Sequence, residues 1–291
     1  MLLETSKTAI NKALHFLFDV QLIRTSTLDA LREQRQLASD ALLEQRQLAS
    51  QAVPDIDVAE RILKEIGLTI LDRYGVDARR FNVEAGALLI DSLLSANYAR
   101  KHMRLAEACD TRTYVLDLAV KKCPLSSGQI LEFGVFKGHS IRRLAAYFPD
   151  ADIFGFDTFE GLPNDWGVLA KRGYLNLDGQ APEGLPENVH LVKGLFDDTL
   201  PDFMRQHPEP IRFLHIDCDI YESTRSIFAL VREQIVPGTV IVFDEYFNYL
   251  GWELGEYKAF QDMVKDMKME YEYIAYSRFA EQAAVIIKKI G

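Results

Sequence analysis

The chain has 291 residues and a formal charge of −10, because 43 Asp and Glu outnumber 33 Lys and Arg. Hydrophobic residues make up 48% of the sequence and charged residues 26%, which is typical of a globular protein and excludes a disordered chain, a collagen-like repeat and a disulfide scaffold. The acidic balance also argues against nucleic acid as a partner, since nucleic-acid binding needs a basic face.

The first region, residues 1–53, is predicted to be a long helix with an internal repeat. The segment EQRQLAS at 33–39 recurs at 44–50, an offset of eleven residues. Such a repeat makes about three helical turns and keeps one apolar stripe aligned, and the helix must end before Pro54. We expect the stripe to pack against a second copy of the chain, which predicts a homo-oligomer. The alternatives are docking on a partner and packing on its own domain.

The second region, residues 54–124, is predicted to be a helical cap on the rest of the chain. Apolar residues recur at i, i+3 and i+4 in three segments, Val58–Ile66, Ala85–Ala99 and Arg104–Lys121. Each segment is therefore predicted to be a helix with one buried face.

The third region, residues 125–291, alternates β-rich runs with helical ones. The predicted strands are Gln129–Phe133, Asp152–Phe156, Val189–Val192, Phe213–Asp217, Val240–Phe243, Tyr271–Tyr276 and Ala283–Lys288. The predicted helices are Ser140–Phe148, Leu200–His207, Ser223–Gln234 and Glu256–Lys268. This order predicts an α/β fold with a mostly parallel sheet covered on both faces. The last two strands are predicted to form a hairpin, so that one strand runs antiparallel.

Two acidic residues end early strands of this region, where such sheets bind ligands. Glu132 ends the first strand, just before Gly134 and Gly138, which let the backbone approach a ligand, and Asp157 ends the next strand. An acid at the second position is placed to bind ribose hydroxyls. The pair predicts a nucleoside site; the alternative is that Asp157 only caps a turn.

Four more acids follow two later strands. Asp217 ends one predicted strand and Asp219 lies just beyond it, and Asp244 and Glu245 follow the next strand. Like charges this close are costly unless a cation joins them, and carboxylate oxygens are ligands that Mg²⁺ prefers. A magnesium site is predicted here; the alternative is that the acids cap a helix. His215 is interpreted as a hydrogen-bonded core residue outside the site.

The sequence further predicts a cytoplasmic protein without a membrane span. Its three cysteines fit no zinc-site spacing and suit a reducing compartment. No uninterrupted apolar run reaches the roughly 18 residues of a spanning helix. The first residues also lack the pattern of a signal peptide.

The chain resembles the class I S-adenosylmethionine-dependent methyltransferases in five segments, which are EFGVFKG, FDTFEGLP, GLFDDTLP, HIDCDIYEST and PGTVIVFDEY. More narrowly, it resembles the metal-dependent O-methyltransferases typified by macrocin O-methyltransferase, which methylate sugars of natural products. The resemblance covers the chain from about residue 126 to its end. It implies a Rossmann-like sheet of seven strands with one antiparallel strand.

The resemblance also implies a role for each motif. S-adenosylmethionine would lie against Glu132, Gly134, Gly138, Asp157, Gly194, Phe196 and Asp197, with Asp157 on its ribose. Mg²⁺ would be held by Asp217, Asp244 and Glu245, and Asp219 would be the general base. Glu245 departs from the family, which tends to have Asp at this position.

The predicted function is therefore Mg²⁺-assisted O-methylation of a vicinal diol in a sugar or polyketide-type product. The alternative is a non-catalytic nucleoside-binding scaffold or partner-docking protein that acts through its N-terminal helix. An oxidoreductase with a nicotinamide cofactor is disfavoured because G-x-G-x-x-G is absent, and a nuclease because no basic stripe is present. The loop 164–188, rich in Gly and Pro, is interpreted as a lid or a mobile insertion.

The repeat generates a prediction about size in solution. We expect the full chain to form a homo-oligomer and a chain that begins at residue 54 to be smaller by more than the mass removed, because the repeat lies within residues 1–53. Light scattering measures both masses. Full and shortened chains that are both monomers would contradict self-association.

Overall fold

The computed structural model describes residues 83–291 apart from Val168, and residues 87–291 form one compact unit. The predicted repeat helix of residues 1–53 and the predicted helix Val58–Ile66 lie outside the described residues. The predicted helix Ala85–Ala99 lies within a longer helix that spans Val83–His102.

The described part of the chain contains six α-helices and eight strands. The helices are α1 (Val83–His102), α2 (Arg112–Lys122), α3 (His139–Tyr147), α4 (Phe196–Gln206), α5 (Tyr221–Val231) and α6 (Glu256–Asp266). The strands are β1 (Glu107–Cys109), β2 (Gln129–Phe133), β3 (Ile153–Asp157), β4 (Val189–Lys193), β5 (Ile211–Ile216), β6 (Val240–Phe243), β7 (Glu270–Ser277) and β8 (Ala283–Lys289).

All eight strands form one sheet in the order β1-β7-β8-β6-β5-β2-β3-β4. Every neighbouring pair is parallel except those of β8, which runs antiparallel to both β6 and β7. The Rossmann-like, mostly parallel sheet with one antiparallel strand and the terminal hairpin are therefore confirmed. The predicted number of strands is one too few, because β1 adds an edge strand.

The additional strand corrects the helix predicted over Arg104–Lys121. Glu107–Cys109 pairs in parallel with β7, and α2 begins only at Arg112, where the Thr111 side chain accepts a hydrogen bond from the Tyr114 amide. Three residues are too few to show a strand period, so only the pairing with β7 reveals this strand. The boundary predicted at residue 124 stays a prediction, although β1 and α2 pack with the sheet that follows them.

Helices cover both faces of the sheet and bury it completely at its centre. Every residue of β2 and β6 is buried, as expected for strands covered on two sides. One face packs against α2 and α3, and the other against α4, α5 and α6. None of the described helices is long and apolar enough to cross a membrane.

The ends of β2 and β5 approach each other so closely that glycine is required between them. Gly134 has φ +90°, and a Cβ atom on it would lie 1.7 Å from the carbonyl oxygen of Asp217. The amide of Asp217 in turn donates to the carbonyl of Phe133 at 2.8 Å. The contact between these two strand ends already requires glycine here, and the predicted contact of Gly134 with a cofactor stays a prediction.

We expect Gly134→Ala to lower the free energy of unfolding far more than Gly173→Ala. Gly173 also has a positive φ, of +81°, but nothing lies within 4 Å of its would-be Cβ. The control should therefore lose only the cost of a left-handed residue, about 1–2 kcal/mol. Urea unfolding of the two variants measures the difference, and equal losses would contradict the steric explanation.

Candidate active site

The carboxyl ends of β2, β3, β5 and β6 border one cleft of about 1100 Å³. That volume exceeds the usual range for a single drug-sized ligand, roughly 300–1000 Å³. The sequence-predicted site residues on its wall are Gly134, Asp157, Phe196, Asp197, Asp217, Asp219, Asp244 and Glu245. The other three, Glu132, Gly138 and Gly194, do not line the cleft, so most of the predicted residues come together in one place.

Asp157 fixes the loop that follows β2. Its Oδ2 accepts hydrogen bonds from the amides of Val135 at 2.9 Å and Phe136 at 2.8 Å, and its Oδ1 accepts from Phe159 at 2.7 Å. Asp157 therefore does cap a turn, as the alternative interpretation held. A carboxylate has about four acceptor sites, so one remains for a ligand, and the ribose contact stays a prediction.

Glu132 lies behind the cleft wall and is fully buried. Its Oε2 lies 3.0 Å from Nδ1 of His215, and its Oε1 accepts a hydrogen bond of 3.0 Å from the Ser140 hydroxyl. Glu132 and His215 are direct neighbours in the register of β2 and β5. Glu132 therefore joins β5 to the start of α3, and its predicted contact with a cofactor stays a prediction.

The predicted cofactor glycines outside the cleft have backbone roles. Gly138 has φ +74° and precedes the first residue of α3, and Gly194 has φ +144° between β4 and α4. Each turns the chain from a strand into a helix in a conformation that favours glycine. Their contact with a cofactor stays a prediction.

His215 is a buried, hydrogen-bonded residue, as the sequence analysis interpreted it, but it also reaches the predicted site. It lines the cleft, and its Nε2 lies 3.9 Å from Oδ1 of Asp244. Burial alone would lower the pKa of His215, but the carboxylates of Asp244 and Glu132 raise it well above its usual value. The available signal was the spacing of two residues between His215 and Asp217, because alternate residues of an extended segment point the same way.

Four carboxylates form an acidic centre, which consists of Asp217, Asp219, Asp244 and Glu245. Oxygen atoms of Asp217, Asp219 and Glu245 lie within 4.8 Å of one another, and Asp217 also groups with Asp244 and His215 within the same distance. Burial and the charge of Asp244 raise the pKa of Asp219 to about 6 and those of Asp217 and Glu245 well above their usual values. The carboxylates therefore disfavour one another's charge.

The nearby cationic groups act on Asp244. Arg112, the first residue of α2, places Nη1 3.3 Å from Oδ2 of Asp244 and Nη2 3.4 Å from Oε2 of Glu281. Burial would raise the pKa of Asp244, but His215 and Arg112 lower it below its usual value. No ion pair of the described residues neutralises Asp217, Asp219 or Glu245.

The acidic centre fits a divalent cation. Oε2 of Glu245 is buried and has no hydrogen-bond partner among the described residues. An unpartnered buried carboxylate oxygen costs free energy unless a proton or a cation satisfies it. The neighbouring oxygens of Asp217 and Asp219 supply the all-oxygen donor set that suits Mg²⁺.

The loop predicted as a lid or a mobile insertion forms one wall of the cleft. Its base is closed by hydrogen bonds of 2.9 Å from the Leu162 amide to the Tyr174 carbonyl and from the Gly173 amide to the Leu162 carbonyl. Beyond that base, the Trp166 ring lies 5.6 Å from the ring of Tyr249 in an edge-to-face arrangement. The loop is therefore folded against the cleft rather than detached from it.

Comparison with known protein families identifies this part of the chain. Residues 131–246 match the family model described as a methyltransferase domain. The match begins within β2 and ends just beyond β6, so it includes the whole acidic centre. The predicted class of enzyme, a methyltransferase, is confirmed.

Several solved structures are similar to this methyltransferase at low sequence identity. CalS11, a calicheamicin methyltransferase, is 22% identical with a TM-score of 0.49, over 68% of this chain and 88% of its own. The O-methyltransferase NovP is 19% identical with a TM-score of 0.46, over 61% and 79%. The O-methyltransferase TomG from Streptomyces achromogenes is 16% identical with a TM-score of 0.42, over 70% and 90%. No curated protein matches the chain by sequence.

The contact between Trp166 and Tyr249 generates a prediction about the loop. The chain has two tryptophans, so Trp252→Phe leaves Trp166 as the only one. In that background, we expect Tyr249→Ala to increase acrylamide quenching of Trp166 fluorescence, because the ring that holds it is lost. Tyr249→Phe is the matched control, since it keeps the ring and removes a hydroxyl that has no partner among the described residues. Equal quenching in all three proteins would show that this contact does not hold the loop.

Proposed function

We propose that this methyltransferase transfers a methyl group from S-adenosylmethionine to one hydroxyl of a vicinal diol, with Mg²⁺ at the acidic centre. The acceptor is a sugar or a polyketide-type natural product. The observation that carries the proposal is the presence of the acidic centre in the same cleft as Gly134 and Asp157, at the ends of β2 and β3. This arrangement offers a nucleoside and a diol adjoining places in one cavity.

The side of the cleft near β3 and α4 would bind the cofactor. Asp157 retains one acceptor site for a ribose hydroxyl, and Phe196 provides an apolar ring that packs 5.3 Å from the ring of Phe133. S-adenosylmethionine supplies an activated methyl group on a positively charged sulfur. The surplus of carboxylates around the cleft favours a cationic ligand of this kind.

The side of the cleft near β5 and β6 would bind the acceptor. Asp217, Asp244 and Glu245 would hold Mg²⁺, and the ion would lower the pKa of the acceptor's hydroxyl and help to orient it. Asp219 lies close to the same place, because oxygen atoms of Asp219, Asp217 and Glu245 lie within 4.8 Å of one another. It would accept the proton of the attacking hydroxyl as the general base.

The aromatic part of the cleft wall supports a sugar or an extended natural product as the acceptor. Trp166 and Tyr249 lie edge to face, and Tyr174 lines the same cleft. Aromatic rings bury the apolar faces of such molecules, while the acidic centre takes their hydroxyls. The proposal includes action in the cytoplasm as a homo-oligomer, as the sequence predicts.

Calorimetric titration of S-adenosylhomocysteine, in buffer with Mg²⁺ and then with EDTA, tests the cofactor site. We expect micromolar binding in the first buffer. We expect similar binding with EDTA, because the proposed metal holds the acceptor rather than the nucleoside. No binding in either buffer would exclude the proposed reaction and leave the alternative of a partner-docking protein that acts through its N-terminal helix.

Asp219→Asn tests the general base. We expect the release of S-adenosylhomocysteine, measured over a panel of sugar and polyketide-type diols, to fall at least ~100-fold while cofactor affinity is kept. Asp150→Asn is the matched control, since Asp150 is exposed and precedes the amino end of β3, whereas the cleft lies at the carboxyl ends of the strands. Turnover equal to that of the control would remove Asp219 from this role.

Asp217→Ala tests the metal in the same assay. We expect the variant to lose the dependence of its residual activity on Mg²⁺, because the carboxylate shared by both candidate ligand groups is gone. A titration of activity against Mg²⁺ concentration measures this dependence. An unchanged Mg²⁺ titration would exclude Asp217 as a ligand.

A further inference from the structure

Glu256, the first residue of α6, connects the two loops that carry the acidic centre. Its side chain is fully buried. Oε1 accepts hydrogen bonds of 3.2 Å from the amides of Cys218 and Asp219, and Oε2 accepts one of 3.3 Å from the amide of Glu245. The two oxygens of one carboxylate therefore bind the loop after β5 and the loop after β6.

These three amides need a partner that the sheet does not provide. β5 ends at Ile216 and β6 ends at Phe243, so the residues that follow have left the strand ladder. A buried amide without an acceptor destabilises the folded protein. Glu256 satisfies three amides at once, and it does so from a third element of the chain.

The hydrogen bonds of Glu256 do not serve α6 itself, since the three donors belong to other loops. The contacts of Glu256 are thus directed at the backbone of the acidic centre.

Two further features are consistent with a geometric role. Asp219 has φ +66°, a left-handed conformation that costs free energy in a residue other than glycine, and Glu256 binds its amide. Gly255 lets α6 begin this close to the centre, because a Cβ atom there would lie 2.1 Å from the Tyr249 hydroxyl. The backbone around Glu256 is therefore shaped to bring its carboxylate to these amides.

We propose that Glu256 is a positioning residue for the acidic centre. By binding both loops, Glu256 fixes the distance between the Asp217–Asp219 loop and Glu245. That distance sets the geometry in which the carboxylates bind a divalent cation. The inference rests on the proposed function, because it assigns a metal to the centre. Glu256 itself touches neither the metal nor the acceptor in this proposal. It acts through the backbone of the residues that do.

Two substitutions separate geometry from charge. Glu256→Gln keeps the length of the side chain but replaces one acceptor oxygen with a donor, so one loop loses its hydrogen bonds. Glu256→Asp keeps the charge but is shorter by one methylene group, so the carboxylate no longer reaches both loops. Glu253→Gln is the matched control, because Glu253 is exposed on the preceding turn and its change removes the same formal charge.

Direct measurement of metal binding tests the proposal without relying on turnover. Mn²⁺ binding followed by electron paramagnetic resonance, with Mg²⁺ as the competitor, gives the affinity for both ions. We expect both Glu256 variants to bind Mg²⁺ roughly 10–100-fold more weakly, the range for residues that orient metal ligands. The control and the wild type should bind equally, and the affinity of all four proteins for S-adenosylhomocysteine should be the same.

The outcomes distinguish the proposal from its rivals. Weaker metal binding in Glu256→Gln alone would mean that charge is sufficient and would overturn the geometric role. Unchanged metal binding together with a lower urea midpoint would show that Glu256 only stabilises the fold. If the wild type binds neither Mn²⁺ nor Mg²⁺, the metal in the proposed function is refuted and this inference is refuted with it. If the wild type binds the metals but not S-adenosylhomocysteine, only the proposed function is refuted.

Discussion

The repulsion between buried carboxylates at neighbouring strand ends is the constraint on which the site depends. In the register of β5 and β6, Ile216 pairs with Phe243, so Asp217 and Asp244 emerge side by side. The fold therefore places like charges together in a poorly solvated corner, where their interaction is strong. The surrounding residues are best understood by how they offset this cost.

The negative charges of the four carboxylates are not balanced equally by their neighbours, and this difference has a chemical consequence. Asp244 is flanked by His215 and Arg112, which hold its pKa low. The chain of contacts continues from His215 to Glu132 in β2, so Asp244 is connected through β5 to the centre of the sheet. Asp217, Asp219 and Glu245 have no such partner among the described residues. Because their charge is not balanced by these residues, this part of the site fits a divalent cation.

Local sequence patterns were sufficient to predict the strands buried on both faces. The predicted and observed bounds of β2 and β6 coincide, because a short continuous apolar run between turn residues leaves little choice. β1 was missed because three residues carry no period, and only its pairing with β7 makes it a strand. The acids were found because they follow apolar runs, which is a property of adjacent residues.

The contacts that the sequence did not predict all join residues far apart in the chain. Glu132 meets His215 only because β2 and β5 are neighbours in the sheet, although β3 and β4 lie between them in sequence. Arg112 reaches Asp244 across 132 positions. No periodicity encodes a strand order, so residues such as His215 read as ordinary core side chains until the order is known.

In both halves of the cleft, a carboxylate side chain holds the backbone of a residue that lines the cleft. Phe136 and Asp219 both line the cleft and both have positive φ, +46° and +66°, although neither is glycine. The amide of Phe136 is bound by Asp157, and that of Asp219 is bound by Glu256. Strained backbone of this kind persists only where its surroundings determine it, and such strain is concentrated at functional sites. On each side of the cleft, a carboxylate that accepts amide hydrogen bonds holds the strained backbone in place. The backbone next to which a cofactor and a metal would bind is thus fixed by carboxylates that already accept hydrogen bonds from the protein.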